Sequence, residues 1–273
     1  VFWLLVWQLL SFLIGSELLL PSPWAVVRSF CGLAQTTEFY RSILHTLLRV
    51  AAGFAAGMAA GLLAGTLTAF SRAADVLLTP LKNIIKATPV TSFIVLILLY
   101  FSSNVTPSAV AFLAVLPICW SNVCEGLRQT DKKMTELAHA YAFGRKKTLR
   151  EIYFPAVRPY LSAAATTGLG FAWKSCVAAE VIALSKNSVG RALYESKLYL
   201  ETAELFAWTA SVVLISVLFE KLLVHKLFKN KNTEGAAGTR SESLEHGHAS
   251  CEAELQYKSD AYAEYGRDEE RNI

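Results

Sequence analysis

The sequence predicts an all-α integral membrane protein with six transmembrane helices and one helix in a cytoplasmic loop. Of the 273 residues, 53% are hydrophobic and only 18% are charged. The apolar residues gather in six windows of about the length of a membrane span, with charges mostly at their ends. Most charges fall between the fourth and fifth windows or beyond Lys226. Together these observations are typical of a multi-pass membrane protein.

The six predicted spans form one membrane domain over residues 1–228. They cover residues 1–20, 43–70, 76–101, 107–123, 155–184 and 203–228. The chain begins inside the first window without Met, so we expect further residues upstream. The segment 21–41, which opens with Pro21-Ser22-Pro23, has amphipathic spacing and is predicted to be a surface helix or loop.

Four glycines recur at intervals of four residues in the second span: Gly53, Gly57, Gly61 and Gly65. Four residues turn an α-helix by about 400°, so all four glycines lie on nearly one face. A face without side chains lets another helix approach closely. We expect tight packing within the chain, with a subunit interface as the alternative.

The distribution of Lys and Arg predicts the orientation. Basic residues crowd the loop between the fourth and fifth spans, at Arg128, Lys132, Lys133, Arg145, Lys146, Lys147, Arg150 and Arg158. This loop is therefore placed in the cytoplasm, together with both termini. The connections 21–41 and 185–202 are placed outside, although they also carry basic residues, so the bias is a preference.

The basic loop, residues 130–155, is predicted to contain an amphipathic helix. Asp131 can cap a helix that runs to Phe143, and Gly144 is a candidate for its C-terminal stop. Met134, Leu137, Ala138 and Tyr141 recur at helical spacing. Such a helix either lies in the lipid interface or docks into a groove on another protein.

Cysteines and tail residues do not indicate a metal site or a disulfide framework. Cys31, Cys119, Cys124, Cys176 and Cys251 form no Cys-x-x-Cys pair. Residues 229–273 are poor in large apolar side chains, which predicts a disordered cytoplasmic tail, and its His246, His248 and Cys251 are loosely spaced. The net charge of +4 mixes this tail with a basic loop and does not imply nucleic-acid binding.

The loop resembles the EAA loop of the permease subunits of binding-protein-dependent ABC importers. That motif has the form Glu-Ala-Ala-x3-Gly-x9-Ile-x-Leu-Pro. Without a gap, its positions fall here on Glu136, Leu137, Ala138, Ala142, Ile152, Phe154 and Pro155. Leu137 replaces the first Ala, and Ala142 stands at the Gly position, two residues before Gly144. We therefore expect a variant loop whose helix break is displaced to Gly144.

Further segments are similar to the nitrate/sulfonate/taurine-type branch of these permeases. They are 20–23, 49–54, 88–93, 172–175, 179–182, 199–203 and 219–222. The resemblance implies the transmembrane domain of a type I ABC importer in a bacterial cytoplasmic membrane. It also implies a homodimeric permease core, two cytoplasmic ATPase subunits and an extracytoplasmic solute-binding protein. The solute would be a small anion or a vitamin precursor.

The chain has no Gly-x4-Gly-Lys-Ser/Thr phosphate loop, so we do not expect it to be an ATPase. No cofactor is predicted for this chain; ATP and Mg²⁺ would be used by the partner subunits. The resemblance places ATPase coupling on Glu136, Ala138, Ala140, Tyr141, Gly144 and Arg145. Glu136 would make a polar contact, the two alanines would permit close approach, and the basic cluster from Arg145 would contact either the partner or lipid headgroups.

Polar side chains inside spans are costly and are therefore candidates for the substrate pathway. They are Thr88, Thr91, Ser92, Asn122, Thr166, Thr167 and Lys174, with Trp173 as a residue that either lines the path or packs. Lys174 lies about 28 Å along a helix begun at Pro155, toward the outer side. It could meet an anion, pair with Glu180 or extend toward the interface.

The alternative function is a secondary transporter or channel that works alone. Such a protein needs coupling-ion groups near the membrane midplane and often has paired broken helices. The predicted spans carry few charges at mid-depth, and the longest polar loop is helical. An integral-membrane enzyme is also disfavoured, because no His, Asp or Glu cluster falls on one membrane face.

Overall fold

The computed structural model describes residues 2–228, and these residues contain α-helices, one π-helical turn and no strand. The helices are α1 Phe2–Ile14, α2 Pro23–Leu33, α3 Thr37–Phe70, α4 Arg72–Ala87, α5 Val90–Tyr100, α6 Thr106–Arg128, α7 Lys132–Ala140, α8 Arg145–Thr148, α9 Phe154–Ala183, α10 Val189–Leu198 and α11 Thr202–Phe228. The π-helical turn is Leu149–Tyr153. The all-α prediction is confirmed. Residues up to Leu222 form one compact unit, and the predicted tail lies outside the described residues.

The core lies where α3, α6 and α9 pack together. Its largest cluster joins Val50 of α3, Val115 of α6, and Trp173 and Cys176 of α9, all of them buried. Phe219 of α11 packs against this cluster from outside. Three long helices thus bury faces against one another, and in a membrane close van der Waals packing holds such helices together.

The glycine face of α3 lies directly against α6. A Cβ atom added at Gly57 would lie 2.8 Å from the Cβ of Val115, and one at Gly61 would lie 2.6 Å from the Cβ of Cys119. One at Gly53 would lie 2.4 Å from a backbone oxygen of α6. Side-chain atoms do not approach so closely, so only glycine fits. The prediction of tight packing within the chain is confirmed.

The predicted third span is not one straight helix. It is divided at Thr88 and Pro89 into α4 and α5, whose axes differ by 104°. Pro89 has no amide hydrogen and drives the preceding residue out of the helical region, so Thr88 has an extended ψ of 128°. The span predicted over residues 76–101 is therefore broken at Pro89 and is not one continuous helix, and its crossing of the membrane stays a prediction.

By length and apolar composition, fewer helices qualify as membrane spans than the six that were predicted. Within residues 2–228, α3, α6 and residues 202–219 of α11 pass as spans, and a fourth passes if α4 and α5 are counted together. The helix α1 has only 13 residues, whereas a span needs about 20. The helix α9 has 30 residues but carries Thr, Ser, Lys and Glu side chains. The six-span count stays a prediction.

The segment 21–41 contains the predicted surface helix. The hydroxyl of Ser22 accepts a hydrogen bond from the amide of Ala25, and Pro23 occupies the first turn of α2. Both features favour a helix start. A second capped start follows at Thr36, so α3 begins six residues before the predicted span at Ile43. The sequence window excluded this first turn because Glu38 and Arg41 are charged.

A buried ion pair joins α3 to α9 near the start of α10. The carboxylate of Glu180 is fully buried and accepts a hydrogen bond from Nη1 of Arg49 at 2.8 Å. It also accepts from the hydroxyl of Thr46, at 3.0 and 2.9 Å to its two oxygens, and from the amide of Gly190 at 3.2 Å. Both oxygens are therefore satisfied, as a buried carboxylate requires.

Gly61→Ala is expected to destabilise the protein by about 1–3 kcal/mol, because α3 and α6 would have to separate to admit the methyl group. The matched control is Gly170→Ala in α9, where an added Cβ has no neighbour within 4 Å. That change should be neutral or slightly stabilising. Thermal unfolding of the two purified variants measures the difference. Equal stability of both would contradict the packing described for α3.

Candidate functional site

The loop helix α7 begins as its sequence predicts. Oδ1 of Asp131 accepts a hydrogen bond from the amide of Lys133 at 2.9 Å. This bond satisfies one of the amides that a helix leaves unpaired at its first turn. The predicted capping role of Asp131 is therefore confirmed.

The end of α7 differs from the prediction. The amide of Phe143 donates to the carbonyl of Ala138 at 2.9 Å, across five residues, and Ala142 between them has a left-handed φ of 52°. This bond and this conformation characterise the helix termination at which glycine is usual. The expected break at Gly144 is wrong, because the chain turns at Ala142, the position of the Gly in the motif.

Gly144 instead begins the next helix. Its carbonyl accepts hydrogen bonds from the amides of Lys147 and Thr148, at 2.9 and 3.1 Å. The helix α8 starts at Arg145 and continues into the π-helical turn, where the amide of Phe154 donates to the carbonyl of Leu149. Pro155 follows at once, and because its ring crowds the carbonyl four residues earlier, a wider turn relieves that contact.

The outer face of α7 is apolar and exposed. Met134, Leu137 and Tyr141 are 55%, 55% and 71% exposed, and their spacing places them on one side of the helix. Glu136 and Ala140 are exposed as well. Ala138, which was predicted to permit close approach of a partner, is instead buried in the fold of the chain itself. The coupling roles of these residues stay predictions.

Aromatic contacts join the loop to the end of α3, and the start of α9 to the end of α6. The ring of Tyr153, in the π-helical turn, lies 5.3 Å from the ring of Phe70 at the end of α3, in an edge-to-face arrangement. The ring of Tyr160 covers Gly126 of α6, where an added Cβ would lie 2.8 Å from it. The hydroxyl of Tyr160 donates to Oε1 of Gln129. The loop and the start of α9 are therefore in contact with the ends of two core helices.

A polar cluster ties α4 to the same end of the core. Nη2 of Arg128 lies 2.6 Å from Oδ2 of Asp75, while Oδ1 of Asp75 accepts from the hydroxyl of Thr79 at 2.9 Å. The indole of Trp120 donates to the hydroxyl of Thr68 at 2.9 Å. Arg128 reaches the carbonyl of the same threonine at 3.4 Å. The ends of α3, α4 and α6 are thus connected beside the loop.

A cavity of about 260 Å³ lies at the break between α4 and α5. Most of its wall is apolar, and Lys86, Thr88 and Thr167 supply the polar groups. The lining residues are Ile85, Lys86, Thr88, Val90, Phe93, Val110, Leu113, Ala114, Pro117, Ile118, Thr167 and Phe171. An apolar wall with a few polar groups is typical of small-molecule sites.

The structure brings only part of the predicted pathway to this cavity. Thr88 and Thr167 line it. Thr91 and Ser92 lie exposed on the first turn of α5. The amide of Asn122 donates to the carbonyl of Ile118 at 2.8 Å, within its own helix.

Two other predicted residues lie elsewhere. Trp173 is buried in the core, and its indole donates to the carbonyl of Val212 at 3.2 Å, which agrees with the packing alternative. The side chain of Lys174 is exposed, whereas the cationic partner of Glu180 is Arg49. Pairing of Lys174 with Glu180 is therefore excluded.

Lys86 is the residue that the sequence reasoning missed. It lies in the last turn of α4, at the cavity wall. A lysine at the middle of a predicted span is itself a signal, because a charge at that depth is costly and usually functional. The signal was available at residues 76–101, where Lys82 and Lys86 are the only lysines.

The sequence family described as the inner membrane component of binding-protein-dependent transport systems matches residues 57–225. This match runs from the glycine face of α3 through the loop and the cavity wall into α11. The chain belongs to this family. Its recognition as an importer permease, its all-helical fold and its location as a multi-pass protein of the inner membrane are thereby confirmed. The family is a translocation component and not an enzyme family, as predicted.

Individual permeases agree with this assignment. The chain is 27% identical over 234 residues to a putative aliphatic sulfonates transport permease of Bacillus subtilis, covering 84% of each chain. It is 29% identical over 224 residues to the Escherichia coli permease of the same name, covering 80% of each. It is 31% identical over 214 residues to a riboflavin transport system permease of Chloroflexus aurantiacus, covering 76% of this chain and 80% of that one.

Ala142→Gly is expected to stabilise the end of α7 in this permease. A left-handed alanine costs about 1–2 kcal/mol, of which glycine would regain up to about 1 kcal/mol after its own entropy cost. Hydrogen exchange at the amide of Phe143, which closes the turn, should slow severalfold. Gly144→Ala is the control, because Gly144 is not left-handed and an added Cβ meets no atom within 4 Å. Unchanged exchange in Ala142→Gly together with faster exchange in Gly144→Ala would return the break to Gly144, because alanine is costly at a left-handed position.

Proposed function

We propose that this permease forms the solute pathway of an ATP-driven importer and couples it to two cytoplasmic ATPase subunits through α7. One observation carries the proposal: α7 presents an exposed apolar face, while the segment after it packs onto α3 and the start of α9 packs onto α6. Because α7 is exposed to a partner and the residues that follow it contact the core, a movement of α7 would reach the core helices. Glu136 and Ala140 border the exposed face, and Gly144 and Arg145 open the next helix.

The proposed cycle alternates between two states of the permease core. Closure of the ATPase subunits on ATP and Mg²⁺ would displace α7, and Tyr153 and Tyr160 would carry that displacement to Phe70 and Gly126. The two states differ in which side of the membrane the cavity faces. A nucleotide or solute shifts their populations only by its difference in affinity for them.

The proposed orientation places α7 and both termini in the cytoplasm, together with the tail 229–273. It rests on the basic residues of the loop and the positive-inside preference. The opposite end, where α10 lies, then faces an extracytoplasmic solute-binding protein. A second copy of the permease completes the pathway, and lipid covers the remaining apolar surface.

The proposed solute is a small organic anion with a short apolar body, such as an aliphatic sulfonate. The apolar wall of the cavity suits the body, and the ammonium group of Lys86 suits the anionic group, with the hydroxyls of Thr88 and Thr167 nearby. Two relatives are named for aliphatic sulfonates. A vitamin-sized solute is the alternative, since a third relative is named for riboflavin, but a cavity of about 260 Å³ favours a smaller molecule.

Glu136→Lys is expected to uncouple ATP hydrolysis from uptake. A reversed charge at a docked surface opposes the groups that the carboxylate attracts, and a loss of 1.4 kcal/mol or more is at least about tenfold in affinity. Uptake and hydrolysis are measured together in vesicles that contain permease, ATPase and binding protein. The folded permease should be recovered in normal yield, because residue 136 is exposed.

The matched control is Glu151→Lys, the same charge reversal in the same loop but off α7. It should keep uptake and hydrolysis coupled. Unchanged coupling in Glu136→Lys would remove Glu136 from the interface. Uptake by the permease alone, without ATP or ATPase, would overturn the importer proposal and favour a self-contained transporter or channel.

Lys86→Gln is expected to weaken binding of ethanesulfonate to the permease–ATPase complex by about tenfold, because Lys86 is the only cation among the described residues of the cavity wall. Binding of neutral ethanol-sized solutes should not change. Lys82→Gln is the control, since Lys82 lies one turn away and packs over the ring of Trp120 at 5.6 Å. Equilibrium binding in lipid nanodiscs gives both affinities. Equal ethanesulfonate affinity in the two variants would contradict an anionic solute at this cavity.

A further inference from the structure

The groups around the ion pair of Arg49 and Glu180 bond to further parts of the chain besides α3 and α9. The second nitrogen of the Arg49 guanidinium, Nη2, donates to the carbonyl of Lys186 at 2.9 Å and to Oδ1 of Asn104 at 3.4 Å. The same Asn104 oxygen accepts from the amide of Lys186 at 3.1 Å. Thr46, which donates to Glu180, also accepts from the amide of Val189 at 3.1 Å. The pair therefore gathers the start of α10 and the connection between α5 and α6.

The turn between α9 and α10 needs this support. Leu184 and Asn187 have φ values of 51° and 48°, so two residues with side chains are left-handed within four positions. Asparagine adopts this conformation readily, whereas a left-handed leucine is strained and persists only where its surroundings fix it. The hydroxyl of Ser185 donates to the carbonyl of Ser103 at 2.5 Å, which adds a further tie to the α5–α6 connection.

The first turn of α10 is pressed onto Glu180. A Cβ added at Gly190 would lie 2.4 Å from the Cβ of Glu180 and 2.6 Å from the amide nitrogen of Val181. Glycine is therefore the residue that lets the amide at position 190 reach the carboxylate. The position of α10 follows from this contact together with the bonds to Lys186 and Val189.

On another side, α10 forms a wall of a charged cleft of about 710 Å³. The other walls are the start of α3 and the start of α11. The charged residues of the lining are Glu38, Arg41, Lys186, Arg191, Glu195, Glu201 and Glu204. Arg191 and Glu195 pair with each other at 2.7 Å on α10 itself. A cleft with charges of both signs suits a protein surface of complementary charge.

A buried ion pair adds little stability compared with apolar residues of the same volume. Its directional bonds, however, specify one arrangement of the backbone around it, which apolar side chains would not. We propose that Glu180 is a positioning residue for uptake: with Arg49 and Thr46 it fixes α10 as a preformed wall of the charged cleft, on which the extracytoplasmic solute-binding protein docks. This inference rests on the proposed function for the identity of the docking protein.

The experiment compares Glu180→Gln with Glu151→Gln in the permease–ATPase complex in nanodiscs. Glu151 is the matched control, because the same change removes one carboxylate charge at an exposed position outside the charged cleft. Hydrogen exchange over residues 189–198 should be at least about tenfold faster in Glu180→Gln only. The concentration of the binding protein encoded beside the permease that half-maximally stimulates ATP hydrolysis should rise by a similar factor. The maximal rate should stay the same.

Two further variants keep the proposal testable if Glu180→Gln is recovered in low yield. Thr46→Val keeps the shape and the charge pair but frees the amide of Val189, so faster exchange should appear at the start of α10. Arg49→Gln combined with Glu180→Gln removes both charges, so the yield should recover while α10 stays loosened. A rigid α10 in both variants would overturn the proposal.

Hydrogen exchange and stimulation of ATP hydrolysis together distinguish a failure of this inference from a failure of the proposed function. Hydrogen exchange needs no partner, so wild-type exchange of α10 in Glu180→Gln overturns the positioning role in any case. If exchange is faster but the half-maximal concentration equals that of Glu151→Gln, docking does not use the positioned wall and the inference fails. If the wild-type complex is not stimulated by the binding protein at all, the proposed function itself fails.

Discussion

The close approach of α3 to α6 is the constraint on which the rest of the structure depends. Glycines at every fourth position leave no space for a side chain, so the two backbones touch along several turns. The helices cannot slide past one another without bringing a larger residue into that contact. The third core helix, α9, packs against this pair, with Gly168 near the side chains of Val115 and Phe54. The three helices therefore behave as one rigid support.

The two ends of this support differ in chemistry. At the loop end, aromatic rings connect α3 to the segment that follows α7, and a partly exposed ion pair connects α4 to α6. Such contacts can be displaced at small cost, because their groups are near the surface. At the other end, a fully buried carboxylate is bonded to two side chains and an amide. That arrangement is costly to disturb, so motion is expected at the first end and rigidity at the second.

The sequence predicted much of the loop but not its turn. The capping role of Asp131 was predictable, because the carboxylate of an acidic residue before a helix accepts hydrogen bonds from the unpaired amides of the first turn. The break was placed at Gly144 because glycine is the usual left-handed residue. The chain turns instead at Ala142, where the hydrogen bond from Phe143 to Ala138 closes the helix. The left-handed preference of glycine at one position is outweighed by the position at which α7 ends and by the position at which the next helix begins.

The sequence by itself determined the fold class and the glycine face, because apolar composition and a four-residue period survive any particular packing. It determined the family because the resemblance lies in the order of residues along the loop and the flanking segments. Only the tertiary structure decided that Pro89 bends the predicted third span by 104° and that Lys86 and Thr167 meet at one cavity. It also gave Glu180 the partner Arg49 instead of Lys174. These residues are more than 70 positions apart, and such pairings depend on how helices cross, which a periodic pattern within one helix does not contain.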